Sequence, residues 1–331
     1  ATRLRDLQAT VELESLVSRE AAFLYNNLAL VGICFATLWG TLYPILSEWA
    51  GEKQNVGLPF FNTVNGPLGL FLLLLTGVGP LIAWRRASPA NLRRQFTFPM
   101  LSGFVVFATL FALGMRDWYA LVTYLLAGFV FGTIGQEFYK GIGARRRMYE
   151  EKLHTASFRL VTRNRRRYGG YIVHFGVVVI FCAFGGLMFR KEYAPTLKQG
   201  ESFAAKDAYG HNWVFTSQGI SQFQALNRDV NAASFTVTRD GKKMGLMSSE
   251  KRQHVDSRGN PTFEASTEVA ILGSLQQDVY MVFAGQPTPD SVAISIWFNP
   301  LVVWVWIGGI VMAFGGLIVM WPQATSRTRQ G

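Results

Sequence analysis

Apolar residues along the chain gather into six runs, at 26–46, 68–84, 98–115, 118–138, 170–189 and 297–321. Each approaches the roughly twenty residues that an α-helix needs to cross about 30 Å of hydrocarbon, so the runs read as spans and not as core helices. The third is the weakest, because Ser102, Gly103 and Gly114 dilute it. Only Arg116 and Asp117 separate the third run from the fourth, which predicts a tight helical hairpin.

The one long polar stretch, 190–296, changes period. HNWVFTSQ, ASFTVTRD, KMGLMSSEKR, STEVAIL, DVYMVFAG and SVAISIW alternate or are rich in β-formers, and Asp240-Gly241 has the composition of a two-residue hairpin turn. A small antiparallel β domain is expected, with its last strand at 291–297 running directly into the sixth span. The fold class is therefore a polytopic α-helical membrane protein of six spans with an extracytoplasmic antiparallel β domain between spans five and six. The expected divisions are 1–189, 190–296 and 297–331.

Charge sets the orientation. The segments 1–25, 85–97, 139–169 and 322–331 carry 19 Lys and Arg, against two in the short loops at 47–67 and 116–117. The first group is then cytoplasmic, both termini lie inside, and 190–296 lies outside. The outer stretch has 11 basic and 11 acidic residues, so the net charge of +11 is a topology signal. The loop at 139–169, with ten Lys and Arg, reads as topology plus contact with anionic headgroups. A nucleic-acid site would want aromatics interleaved with the charge and a way to read bases, and no nucleic-acid partner is expected.

Half of the residues are hydrophobic and 16% are charged, a balance poorly suited to a soluble chain. The two cysteines, Cys34 and Cys182, each sit inside a span and outside any CxxC pair, which leaves no support for a disulfide framework, a redox dithiol or a zinc site. Nothing forms a nucleophile-base-acid set or a phosphate loop, and no inverted repeat supports a transporter. The chain opens at Ala1 on an amphipathic stretch, LQATVELESLVSRE, without an initiator Met or signal peptide, and reads as the continuation of something longer.

Of four histidines, His174 alone lies within a span, about one turn into the hydrocarbon in RYGGYIVHFGVVVIF. Ionisable residues at such depth face the bundle interior or a cofactor. Gly169, Gly170 and Gly176 thin the helix around it, so that something flat could approach. A neutral imidazole is a common axial ligand of haem iron; the alternative is a histidine hydrogen-bonded to a neighbouring helix. His154, His211 and His254 read as solvated surface. Glu137 reads as an interfacial carboxylate near Lys140 or Arg145. Phe60 and Phe61 in the outer loop GLPFFNTVNGP, with Trp297, Trp304 and Trp306, fit an interfacial aromatic belt or the wall of a cavity open to the outer face.

Seven segments occur in order and at matching topological positions: SREAAFLYNNLAL (18–30), GTLYP (40–44), GLPFFN (57–62), GVGP (77–80), EFYKGIGARR (137–146), RYGGYIVHFG (167–176) and NPLVVWVWIGG (299–309). Together they resemble the C-terminal half of the CcmF family, the haem lyase subunit of the bacterial and mitochondrial cytochrome c maturation system. The resemblance implies covalent attachment of haem to apocytochrome c, in which thiols of a CxxCH motif add to the haem vinyl groups on the periplasmic side. It also implies a haem b in the membrane held by two histidines, one of them falling on His174, with the other on an upstream span. The implied partners are haem, the upstream half of the same lyase, a haem-carrying chaperone, thiol-reducing subunits and apocytochrome c. The tryptophan-rich segment that receives haem in the family, with its two outer-face histidines, has no match here, so the chain is expected to be a C-terminal fragment or one subunit of a split lyase, and no catalytic residue is assigned. The competing expectation is a membrane scaffold that binds no haem and only positions its partners.

Overall fold

The computed structural model describes residues 18–82, 89–225, 227–256, 261–262 and 264–322. Most of the amphipathic opening stretch, the pair Arg85 and Arg86 and the tail after Pro322 lie outside them. Among the described residues six helices are long and apolar enough to cross a membrane. They are α1 (Arg19–Trp49), α2 (Leu58–Leu81), α3 (Pro89–Ala112), α4 (Trp118–Tyr149), α6 (Arg165–Leu187) and α7 (Val303–Met320). Their surfaces carry many open apolar side chains, among them Leu28, Val31, Phe35, Ile310 and Leu317, as lipid-facing helices do. The chain forms two compact units, Ala1–Phe181 with Gly308–Gly331, and Cys182–Ile307.

In the first unit, local signals fix several helix ends. Ser18 caps α1 by accepting from the Ala21 amide at 3.1 Å, and Asp117 caps α4 by accepting from Ala120 at 2.8 Å. The hairpin of α3 and α4 forms as expected, and the residues that weaken the third run are those that make it. Ser102 Oγ donates to the Gly128 carbonyl at 2.8 Å, and a Cβ at Gly103 would lie 2.7 Å from the Leu125 carbonyl oxygen. Small residues lower hydropathy but let helix backbones approach in a membrane, where packing and not water exclusion drives association.

The helices outrun the apolar runs. α2 starts at Leu58, not 68, so Phe60 and Phe61 lie on its first turn and not in a loop. Phe61 packs against α1, where a Cβ at Gly40 would come within 2.6 Å of its ring. α4 continues to Tyr149, and most of the basic segment 139–169 is helical, with a short α5 (Leu153–Arg163) in its middle. That helix buries Ala156 and Leu160.

The second unit is a sandwich of two five-stranded antiparallel sheets. One contains β1 (Lys191–Tyr193), β2 (Thr196–Lys198), β8 (Ala270–Leu272), β9 (Gln277–Gly285) and β10 (Ser291–Pro300). The other runs in the order β3 (Ser202–Lys206), β4 (Asn212–Ala225), β5 (Arg228–Arg239), β6 (Lys242–His254) and β7 (Ser266–Glu268). Alternate residues of β9 and β10 turn inward, so Val279, Met281, Phe283, Ile294, Ile296 and Phe298 meet Phe215, Phe235 and Val237 in one core. Asp240 and Gly241 join β5 to β6 with both φ angles positive, 49° and 80°, the conformation that a tight hairpin requires. STEVAIL is two strands on different sheets: β7 pairs with β6 and β8 with β9. β10 ends at Pro300 and α7 begins three residues later, so Trp297 to Pro300 belong to the sheet and not to the sixth span.

Candidate functional site

His174 sits in the middle of α6, and its neighbours by helical turn separate into distinct faces. Toward α7, the segment Gly169, Val173, Gly176 and Ile180 meets Gly308, Met312 and Gly315 at backbone distance. A Cβ at Gly176 would lie 2.6 Å from the Gly308 carbonyl oxygen, and one at Gly308 would lie 2.7 Å from that of Gly176. Gly169 and Gly315 repeat this reciprocal arrangement one heptad away. Two of the three glycines expected to make room beside His174 are therefore occupied by helix packing. Gly170, one turn before His174, is the open one, since a Cβ there meets nothing within 4 Å.

Toward α4, aromatic side chains dominate. Phe131 and Phe175 lie 5.1 Å apart between ring centroids, as do Phe138 and Tyr168, and Tyr171 stands 6.3 Å from Phe138. Beside them opens an apolar hollow of about 570 Å³, walled by Phe131, Ile134, Phe138, Tyr171, Ile172 and Phe175. Gly135 completes it with open space in place of a side chain. The residues next to His174 and one turn before it, Phe175 and Tyr171, are two of these walls.

The His174 Nδ1 is buried and has no hydrogen-bond partner among the described residues. No neighbouring helix among the described residues supplies a partner for that atom. A buried ring nitrogen without a partner gives up solvation with nothing in return, and a neutral imidazole is a common axial ligand of haem iron. Gly170, one turn before His174 on the same face of α6, leaves room for a flat apolar macrocycle, whereas the aromatic hollow lies on the adjoining face and is not lined by His174. The other histidines do not converge on it: His154 is exposed on α5, His211 and His254 belong to the sandwich, and no group of three metal-ligating side chains occurs among the described residues. His211 departs from the expected free surface, because its Nδ1 meets Asp240 Oδ2 at 2.8 Å.

At the basic end of α6, Glu137 of α4 is buried and pairs with Arg167, while Tyr171 donates to the same carboxylate at 3.2 Å. Lys140 lies 3.9 Å away, as sequence spacing suggests, but Arg145 turns to Glu151. The dominant partner is thirty residues distant in sequence, beyond the reach of any helical spacing rule. The outer tryptophans also divide. Trp304 donates to the Leu275 carbonyl at 2.8 Å, Trp297 lies under the Arg190 guanidinium, and Trp306 is open.

In the sandwich, no local pattern announces Asp207. It is fully buried, and its two oxygens accept four hydrogen bonds: from the amides of Tyr209 (2.9 Å) and His211 (3.0 Å), the Trp213 indole (2.9 Å) and the Gln277 amide (2.5 Å). Burial opposes its charge, but these donors together hold the carboxyl below the usual aspartate range.

Comparison with known proteins bears on what this arrangement serves. A family model described as the CcmF C-terminal beta-sandwich matches residues 188–300, the stretch that holds all ten strands. The chain corresponds to the C-terminal half of CcmF. The cytochrome c-type biogenesis protein CcmF of Pseudomonas fluorescens is 31% identical over 314 residues, covering 92% of this chain and 44% of the relative. The CcmF of Escherichia coli K12 is 28% identical over 324 residues, with the same coverages. A solved structure titled cytochrome c heme lyase CcmF superposes with a TM-score of 0.70 at 26% identity, over 93% of this chain and 46% of that one. The chain thus spans a little under half the length of the CcmF proteins it matches, and the six apolar helices and the sandwich are a CcmF-like, multi-pass membrane fold.

Proposed function

We propose that the chain is part of a cytochrome c haem lyase, in which His174 is one axial ligand of a haem b inside the membrane and the sandwich serves covalent attachment of haem to apocytochrome c. The observation that carries this reading is the buried, unpartnered Nδ1 of His174, on a helix whose Tyr171 and Phe175 wall an aromatic hollow, in a chain that matches a haem lyase. Bound there, haem supplies one-electron chemistry at iron within the bilayer. The chain's own contribution is to present the imidazole from a helix held rigid by the α7 seam, and to line the approach with Tyr171, Phe175 and Phe131 so that water is excluded. The Glu137–Arg167 pair fastens α4 to α6 one to two turns below the ligand and keeps the hollow's two walls in register.

The second ligand comes from the upstream half of the lyase, since the remaining histidines lie elsewhere in this chain. Charge bias supports an inner-membrane protein with cytoplasmic termini and residues 190–296 in the periplasm, where apocytochrome c, the haem-carrying chaperone and the thiol-reducing subunits of the maturation complex would meet it. The test is the absorption spectrum of this chain purified together with the upstream half. A six-coordinate haem spectrum is expected, and His174→Ala should abolish it or leave a spectrum restored by added imidazole. Haem content and spectrum identical in the variant would refute the ligand assignment and favour a scaffold that binds no haem.

A further inference from the structure

We propose that the basic hollow along the C-terminal end of α4 binds a phospholipid carrying two phosphodiesters, of the cardiolipin class. The hollow has a volume of about 530 Å³ and opens outward between Tyr139, Lys140, Gly143, Arg146 and Arg147, with Glu150 and Glu151 at its rim. The rim acids do not neutralise the arginines that face it. Glu151 is held by a bidentate pair with Arg145 at 2.7 and 3.0 Å and by Arg159 at 2.7 Å, and the Arg145 hydrogen bonds keep its carboxyl below the usual range. Arg146 and Arg147 have no hydrogen bond or ion pair among the described residues. Six cations, Lys140, Arg145, Arg146, Arg147, Arg159 and Arg167, therefore stand around three carboxylates, Glu137, Glu150 and Glu151, and two guanidinium groups remain free for planar recognition of phosphate.

A lipid fits better than a soluble anion because of where the hollow lies. α4 is apolar up to Gly135 and its exposed basic residues begin at Lys140, so Tyr139 marks the level at which this helix leaves the hydrocarbon. Open apolar surface accompanies them: Tyr139, Tyr149 and, on α5, Phe158 are exposed. Basic clusters immediately beyond the end of a span suit anionic headgroups, with the acyl chains lying along the span. Two phosphates fit better than one, because Lys140 and Arg147 are two helical turns apart, about 10.5 Å along the axis. Cations at both levels face the hollow, and one phosphate reaches only one level. Gly143 lies between them, and a Cβ there meets nothing within 4 Å, so the space for the headgroup is the space that a side chain would take.

The full chain, assembled into bilayer discs with equal parts of phosphatidylcholine, phosphatidylglycerol and cardiolipin, can be released into native mass spectrometry to read which lipids stay bound. Cardiolipin should be retained in preference to phosphatidylglycerol, and the double variant Arg146→Gln/Arg147→Gln should lose that preference by roughly tenfold or more. Gly143→Leu, which fills the hollow without removing a charge, should lose it too, with helical circular dichroism unchanged. Arg166→Gln, which removes an exposed cation outside the hollow, should retain it. Equal retention of the two anionic lipids, preference undiminished in both hollow variants, or an equal loss in Arg166→Gln would each overturn the proposal. Displacement of cardiolipin by an equimolar amount of inorganic phosphate would show a soluble-anion site and overturn it as well.

Discussion

Replacing Asp207 with Asn tests whether the sandwich is organised around a buried carboxylate. Asn keeps the volume and one oxygen. That oxygen can still accept from the Tyr209 and His211 amides, which leaves the new NH₂ group facing the Trp213 indole N–H and the Gln277 amide. Gln277 can turn over, because its Oε1 has no partner in the native arrangement, and accept from the NH₂. Trp213 has no such remedy. It is buried, and its donor would be left unsatisfied, at a cost of about 1–3 kcal/mol. In hydrogen exchange of the full chain in detergent, amides of β3, β4 and β9 should lose protection by about fivefold to about 150-fold, the free-energy cost converted at 1.4 kcal/mol per decade. Asp229→Asn, at an exposed position of β5, should leave exchange unchanged. Protection in Asp207→Asn equal to wild type would refute the reasoning, since it would mean that charge and acceptor count at this position do not matter.

Four outcomes can be checked alongside it. Acid should weaken the sandwich through Asp207: its folded pKa is lowered, so its contribution is complete above the ordinary aspartate value of about 3.9 and is lost as pH falls through the lower folded value. Asp278, whose pKa burial raises, acts in the opposite sense over the range just above that value and blunts the loss, so Asp278→Asn should sharpen the acid transition read by Trp fluorescence. Gly176→Leu should disrupt the α6–α7 seam and lower the yield of folded protein, whereas Gly170→Ala should not, as thermal melts in detergent would show; equal melting of the two would contradict the close approach. Cysteine labelling from the periplasmic side should reach Ser221→Cys and spare Thr162→Cys, and the reverse pattern would invert the orientation.

The spans and strands were legible because their signals are local. Run length identified the helices, and period two with Asp240-Gly241 identified β4, β5 and β6 and the turn between the last two. Boundaries failed where polar or aromatic residues continue a helix beyond the hydrocarbon, as at Leu58 and from Tyr139 to Tyr149. The strands β1 to β3 escaped notice because they are short and mostly polar, and their places are fixed by partners, β1 and β2 by β10 and β3 by β4. At the candidate site, the depth of His174 in its span was readable, but the use of its flanking glycines was not, since it depends on Gly308 and Gly315 more than a hundred residues away. Arg167 and Asp207 were missed for the same reason: a buried charge is recognised by the donors and acceptors around it, and those are assembled only in three dimensions.

The glycine seam has a consequence for how the sandwich comes to fold. α6 and α7 enter and leave the inserted segment, and β1 and β10, its first and last strands, pair side by side with Lys191 opposite Phe298. Once the two helices are seated against each other, the hundred or so residues between them form a closed loop before any strand has paired. Closing a loop of that length costs about 4 kcal/mol of chain entropy by the logarithmic rule, and in the whole protein the membrane helices meet that cost. The excised sandwich must meet it from its own core. A stretch cut out at 190–296 would also lose Trp297 to Pro300, including the fully buried Phe298. Its stability in isolation is therefore a lower bound on its stability in place, and the seating of two apolar helices against each other, outside both sheets, is part of what holds the sandwich together.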